Sequence, residues 1–335
     1  MQPSVLQPVE RRRRRRGRRR RWPVLVAVFL VAAIGVAAIG ATNTGLRERA
    51  LFRDRHPSRT PSHPAQPRRD TSRPAPAPPK LLSTISPPAY FFRPPLRATA
   101  AVLVDGATGA VLYQRRPHQR RPIASTTKIM TAVLALERLR PSQKIRIPWW
   151  VPRTAPFREG LRRGERVAAW KLLYGLMLYS ANDSAAALAA ASAGSKARFL
   201  RLMNEKARRL GLRDTHFSTP SGVVDRGNWS TAWDLAALTQ YAMQNPRFRA
   251  IVRTRIARVR WTAPTYGKVY VNKNHLLGSY HGADGVKTGW TTVAGHCLVA
   301  SAHRGRKRLI AVILHSPDAY RDARRLLNFG FAQAS

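Results

Sequence analysis

Apolar and polar positions divide the chain into four unlike stretches. Residues 11–21 are nearly all arginine, residues 22–45 carry no charge and are mostly aliphatic, and residues 46–97 hold twelve prolines with few large apolar side chains. From Ala98 onward apolar residues return with the periods of secondary structure. Residues 99–104 and 110–114 are short β-prone runs around Asp105-Gly106-Ala107-Thr108-Gly109, a turn-rich link that predicts a hairpin. In residues 126–139, Ile129, Val133 and Leu136 fall on one helical face, and residues 168–179 and 184–193 predict two further helices. Residues 295–303 and 307–315 form a second strand pair around Arg304-Gly305-Arg306, and residues 318–329 close the chain as a helix. Strands at both ends with helices between predict an α/β domain of the α+β type. Its antiparallel sheet is formed by both ends of the domain and carries a helical insertion.

The uncharged stretch 22–45 is long enough to cross the ~30 Å hydrocarbon core as one helix. Arginines stay cytoplasmic, so the residues after Gly45 are expected on the outer side. A cleaved secretory signal, with Ala38-Ile39-Gly40 as its small-x-small site, is the alternative and exports the domain equally. The apolar run exceeds the usual signal core, which favours a retained single-pass anchor. The organisation is then a cytoplasmic tail (1–21), a transmembrane signal anchor (22–45), a stiff proline-rich linker (46–97) and a folded domain (98–335).

Charge adds a further constraint. Sixty Lys and Arg against sixteen Asp and Glu leave +44, of which +27 lies on residues 98–335. The arginine block has no interleaved stacking aromatics, so it reads as a topological and lipid-headgroup signal and not as a nucleic-acid site. A lone cysteine, Cys297, excludes an internal disulfide framework and a cysteine metal cage. Its neighbour His296 points to the opposite strand face, which excludes a Cys/His pair. Without histidines at metal-ligand spacing, neither a metal nor another cofactor is expected.

Three short motifs stand in order: Ser125-Thr126-Thr127-Lys128, Ser180-Ala181-Asn182 and Lys287-Thr288-Gly289. Any one alone is noise; together they match the S-x-x-K, S-x-N and K-T-G set of serine acyl-enzymes. Positions three apart share a helical face, so the Lys128 amine reaches the Ser125 hydroxyl. A desolvated lysine can lose its proton, whereas an arginine cannot. A free N–H at the helix start provides half of an oxyanion hole. Ser180 and Asn182, in extended geometry, point the same way and face the first motif, suiting proton delivery and the holding of a substrate carbonyl. Lys287 and Thr288 offer a cation and a hydroxyl to a carboxylate, and Gly289 lets an extended peptide approach the strand.

Around these motifs the chain resembles the serine-type D-alanyl-D-alanine carboxypeptidases, the low-molecular-weight penicillin-binding proteins of peptidase family S11. The resemblance runs from about Ala98 to the end, through Pro122 to Ala132, Ser180 to Ala186, Ser230 to Ala236 and Asp284 to Val299. It implies a β-lactamase/DD-peptidase-like fold in a bacterial envelope enzyme. The implied substrates are peptidoglycan stem peptides ending in D-Ala-D-Ala, with β-lactams as covalent inhibitors. It further implies Ser125 as nucleophile, Lys128 as its base, Ser180 as the relay to the leaving D-Ala and Asn182 as substrate-orienting. Lys287 and Thr288 would take the terminal carboxylate, and the Ser125 and Trp290 amides, beside Gly289, would form the oxyanion hole. The chain departs from that family's pattern at Thr219-Pro220-Ser221-Gly222-Val223 and Asn228-Trp229-Ser230-Thr231-Ala232, which bears on loop structure. It also leaves no room for the additional C-terminal β domain and amphipathic anchor of many relatives.

Two other readings stand beside this one. A class A β-lactamase needs a deacylating glutamate in an E-x-x-L-N loop, and between Asn182 and Lys287 only Glu205 is available. A catalytically silent scaffold would bind anionic envelope polymer or lipid through the +27 charge alone.

Overall fold

A computed structural model describes residues 94–223, 227–261 and 267–333. The tail, the apolar stretch 22–45 and most of the linker lie outside the described residues. No helix among those described is long and apolar enough to cross a membrane.

The strands are β1 (Ala100–Asp105), β2 (Val111–Arg115), β3 (Arg121–Pro122), β4 (Lys144–Arg146), β5 (Arg166–Ala168), β6 (Trp229–Ser230), β7 (Ile256–Val259), β8 (Lys268–Val271), β9 (Ala283–Thr291), β10 (Gly295–Arg304) and β11 (Lys307–Ser316). Five make the main sheet in the order β2-β1-β11-β10-β9, antiparallel throughout, so that both ends of the domain meet at its centre. Alternation along the strands sorts their side chains onto two faces. Val102, Val104, Ile310, Val312 and Val299 join the larger core under the helical insertion. Ala101, Leu103, Ala311, Ile313 and Ala300 join a second core. With helices over both faces, the central strands read as almost unbroken apolar runs.

The helices are α1 (Lys128–Arg138), α2 (Ala169–Tyr174), α3 (Asn182–Ala193), α4 (Lys196–Arg209), α5 (Ala232–Gln244), α6 (Pro246–Val252) and α7 (Ala319–Ala332). Helix α7 covers the second core with Ala323, Leu326 and Leu327, and Asp318 caps it by accepting the Arg321 amide. The others carry the larger core, where α1 buries Ile129, Met130 and Val133. The expected helix over 168–179 is broken: α2 ends at Tyr174 and a π-turn, Gly175–Tyr179, follows. Such turns concentrate at functional sites. Gly175 gives the Glu159 carboxylate its room, since a Cβ there would lie 1.9 Å from it and force it to move.

Candidate active site

Ser125 lies in a 3₁₀ turn, Ala124–Thr127, that leads directly into α1, so Lys128 opens the α-helix one turn after it. Strand β9 passes across this turn. A Cβ built on Gly289 would sit 2.9 Å from the Ser125 nitrogen and 3.1 Å from the Ala124 Cβ. The glycine therefore permits strand and turn to touch, and it also lines the cavity that a peptide would enter.

Lys128 is fully buried, and its Nζ lies 2.9 Å from each of three oxygens: Ser125 Oγ, Asn182 Oδ1 and the Ser221 carbonyl. Two of these can only accept. A neutral amine has two N–H groups and one lone pair. Donation to Asn182 and Ser221 leaves that lone pair facing the Ser125 hydroxyl, the arrangement a general base requires. Burial, followed by the nearby Lys287 and Lys273 charges, holds the Lys128 amine well below the usual lysine range.

The middle motif does not have the extended geometry expected of it. Ser180 adopts a left-handed conformation (φ 71°) at the end of the π-turn, Ala181 is extended, and Asn182 is already the first residue of α3. A non-glycine residue held there is strained, a feature that concentrates where geometry serves chemistry. The turn still directs Ser180 and Asn182 to the cavity that Ser125 lines. Asn182 Nδ2 donates to the Pro156 carbonyl and its backbone N–H to Phe157 (2.8 Å). Its amide thus holds both the base and the loop opposite, while the residue itself lines the cavity.

In the third motif Thr288 and Trp290 line the cavity, and Trp290 is 59% exposed. Lys287 is buried, and its Nζ donates to the Thr288 carbonyl at 2.9 Å. Burial, with Lys273 contributing, brings its amine down to about 7. Burial thus weakens its hold on the proton that the motif alone led one to expect. Lys273 is the lysine that lines the cavity. Its Nζ lies 4.4 Å from the Phe157 ring centre and 5.0 Å from that of Tyr179, and its carbonyl accepts from Tyr320 at 2.7 Å. Sequence reasoning missed Lys273, whose aromatic partners come from distant segments. It also missed the Ser221 carbonyl, although Gly222 is a sign of it: at φ +76° a Cβ there would meet the Ala124 carbonyl at 1.9 Å. The departing loop is held by its own residues, Thr219 Oγ1 accepting from Gly222 N (2.9 Å) and Asn228 Nδ2 (2.7 Å).

The cavity measures about 790 Å³, and no glutamate lines it among the described residues. Glu205 is exposed on α4, which leaves the β-lactamase reading without its deacylating group. Burial raises the Cys297 thiol to about 11, as fits a core residue and not a nucleophile.

A serine and a second hydroxyl lining one cavity, with a buried lysine of lowered pKa bonded to the serine, define a serine acyl-enzyme hydrolase. The D-alanyl-D-alanine carboxypeptidase family model matches residues 88–318, and the chain belongs to that family, the penicillin-binding serine peptidases. It is 37% identical over 270 residues to the D-alanyl-D-alanine carboxypeptidase of Streptomyces sp. strain K15, spanning 74% of this chain and 91% of that one. Against the carboxypeptidase DacF of Bacillus subtilis it is 34% identical, over 70% of this chain and 62% of the relative. A solved Streptomyces K15 DD-transpeptidase mutant superposes with TM-score 0.66 at 35% identity, over 72% of this chain and all of that one.

Proposed function

We propose that this protein is a membrane-tethered, exported D,D-carboxypeptidase that removes the terminal D-Ala from peptidoglycan stem peptides. Ser125 Oγ attacks the penultimate D-Ala carbonyl as its proton passes to Lys128 Nζ. The backbone amides of Ser125 and Trp290 take the oxyanion. Ser180 relays a proton to the nitrogen of the departing D-Ala, and the acyl-enzyme remains on Ser125. Water, deprotonated through Lys128, then releases the shortened peptide and regenerates the serine. Lys287 and Thr288 receive the terminal carboxylate, and Lys273 lines the same cavity. Residues 22–45 hold the enzyme in the cell membrane, and residues 46–97 space the catalytic domain from it.

The observation that supports this reading best is the Lys128 amine, which has two acceptors for its two protons and a serine hydroxyl for its lone pair. The test is labelling with a fluorescent penicillin alongside release of D-Ala from a pentapeptide ending in D-Ala-D-Ala. Wild type is expected to do both and Ser125→Ala neither. Labelling that survives Ser125→Ala refutes the assignment of the nucleophile, and rapid turnover of the penicillin makes the enzyme a β-lactamase.

A further inference from the structure

Strands β7 and β8 form a hairpin outside the main sheet. Its inner face is buried, with Val259 and Tyr270 in the larger core. Its outer face carries Ile256 opposite Val271 and Arg258 opposite Val269. Ile256, Val269 and Val271 are 49%, 61% and 60% exposed. Single exposed aliphatic residues are ordinary, but three on one small two-stranded face make a patch.

Along the chain the charge of this segment has one sign, although Lys268 on the inner face pairs with Glu159 and Glu165 lies near Lys171. Residues 235–283 include eight Lys and Arg and no Asp or Glu. Arg253, Arg255, Arg258 and Arg260 are exposed. An aromatic residue borders the patch where Lys171 Nζ donates to the Arg260 carbonyl and lies 5.7 Å from the ring centre of Trp170, itself 37% exposed. Aliphatic centre, arginine rim and bordering tryptophan are the composition of a surface that rests in the headgroup region of a bilayer.

We propose that the outer face of the β7–β8 hairpin docks on an anionic lipid bilayer. An anionic polymer would use the arginines and leave the aliphatic side chains wet. A second copy of the same face would set arginine against arginine, with no carboxylate from this segment between them. Val271 is two residues from Lys273, so docking brings the rim of the active-site cavity to the membrane surface. The inference rests on the reading that the domain works beside a membrane. It adds that the domain itself touches the lipid, whatever residues 22–45 do.

The test uses residues 69–335, a compact unit that contains both cores. It is floated with vesicles of phosphatidylcholine alone or mixed with phosphatidylglycerol. Wild type is expected to float only with the mixed vesicles. Val269→Glu with Val271→Glu is expected to weaken partition about tenfold or more, and Arg258→Gln about fivefold, with D-Ala release from a soluble pentapeptide unchanged. Arg198→Gln with Arg201→Gln on α4 is expected to alter partition less than about twofold. If the double glutamate variant does not fold, Val269→Ser with Val271→Ser replaces it and is expected to weaken partition several-fold. Absence of wild-type flotation overturns the proposal, as do hairpin variants that float like wild type, an equal loss from the α4 pair, or a dimer in which this face is buried. Because residues 22–45 are absent from the assay, such a failure removes the docking surface and leaves the anchor and the peptidase chemistry standing.

Discussion

Asn182 and Asp183 are adjacent on the first turn of α3 and serve two buried polar clusters of opposite character. Asn182 meets Lys128 with a neutral oxygen. Asp183 accepts the backbone amides of Glu159 (2.8 Å), Gly160 (3.0 Å) and Leu161 (3.1 Å). In that second cluster Lys268 pairs with the buried Glu159 carboxylate at 2.7 Å, and Tyr270 donates to the same oxygen at 2.9 Å. Among the described residues neither Lys128 nor Lys287 forms an ion pair. A lysine paired with an anion keeps its charge and cross-links the fold, whereas a lysine buried among neutral acceptors is driven to shed it. One residue type thus yields a strut in one cluster and a base in the other, and the partner's charge decides which.

The most severe break is Lys128→Arg, which keeps a cation that cannot deprotonate. D-Ala release is expected to fall by about 10³–10⁴-fold, and penicillin labelling of Ser125 to slow in parallel. A subtler exchange gives the catalytic cluster the partner type of the structural one. Asn182→Asp places a carboxylate beside Lys128 and raises its pKa, so the base stays protonated over more of the pH range. The rate at neutral pH is expected to drop by about 10²-fold and to recover as pH rises. A pH profile of kcat/KM whose acid limb does not move upward would show that Lys128 is not the titrating base.

In the structural cluster the corresponding break is Lys268→Met, which leaves Glu159 buried without its cation. Folding stability is expected to fall by about 2–4 kcal/mol in urea unfolding, less than for a fully buried pair because Lys268 is partly exposed. Burial, opposed by Lys268, already raises the Glu159 carboxyl above its ordinary value. The folded state therefore binds more protons there than the unfolded chain does, and stability declines as pH climbs from the ordinary glutamate value through the raised one. Removing Lys268 raises that value further and extends the decline upward, so the variant is expected to lose more stability at pH 7 than at pH 5.

The two clusters also mark what could be read from the chain. Strands β1, β10 and β11 and helix α7 were legible to within a few residues, because alternation and helical period record which faces are covered. The contact of Ser125 with Lys128 was legible because three residues along a helix is a local distance. Ser180 was not legible: its left-handed turn comes at the end of the π-turn that opens at Gly175, where a Cβ would meet Glu159, sixteen residues earlier and in no motif. Lys273 was invisible because its place depends on Phe157 and Tyr179 reaching it from two other segments. The Ser221 carbonyl is a backbone atom, which side-chain motifs cannot announce. Lys287 was found by its motif but its burial was not legible, since a motif gives identity and the fold gives environment.

That burial supplies the finest test of the comparison. With an amine at about 7 in the folded state against an ordinary value near 10.5, Lys287 is protonated in the unfolded chain and largely neutral in the folded one between those limits. The unfolded state then binds more protons, so stability rises with pH across that window and is lowest below it, where the buried ammonium must be carried. Lys128, whose amine is also depressed, adds to the same slope. Lys287→Met fills the site with an apolar chain of similar length and removes one of these contributions. The variant is expected to be more stable than wild type at pH 6 by roughly 1–2 kcal/mol. Its dependence on pH between 7 and 10 is expected to be shallower by up to about 1.4 kcal/mol per pH unit. Unfolding curves across that range measure both quantities. Equal slopes in the two proteins would mean that Lys287 keeps its proton in the folded enzyme, and the contrast between the clusters would then rest on Lys128 alone.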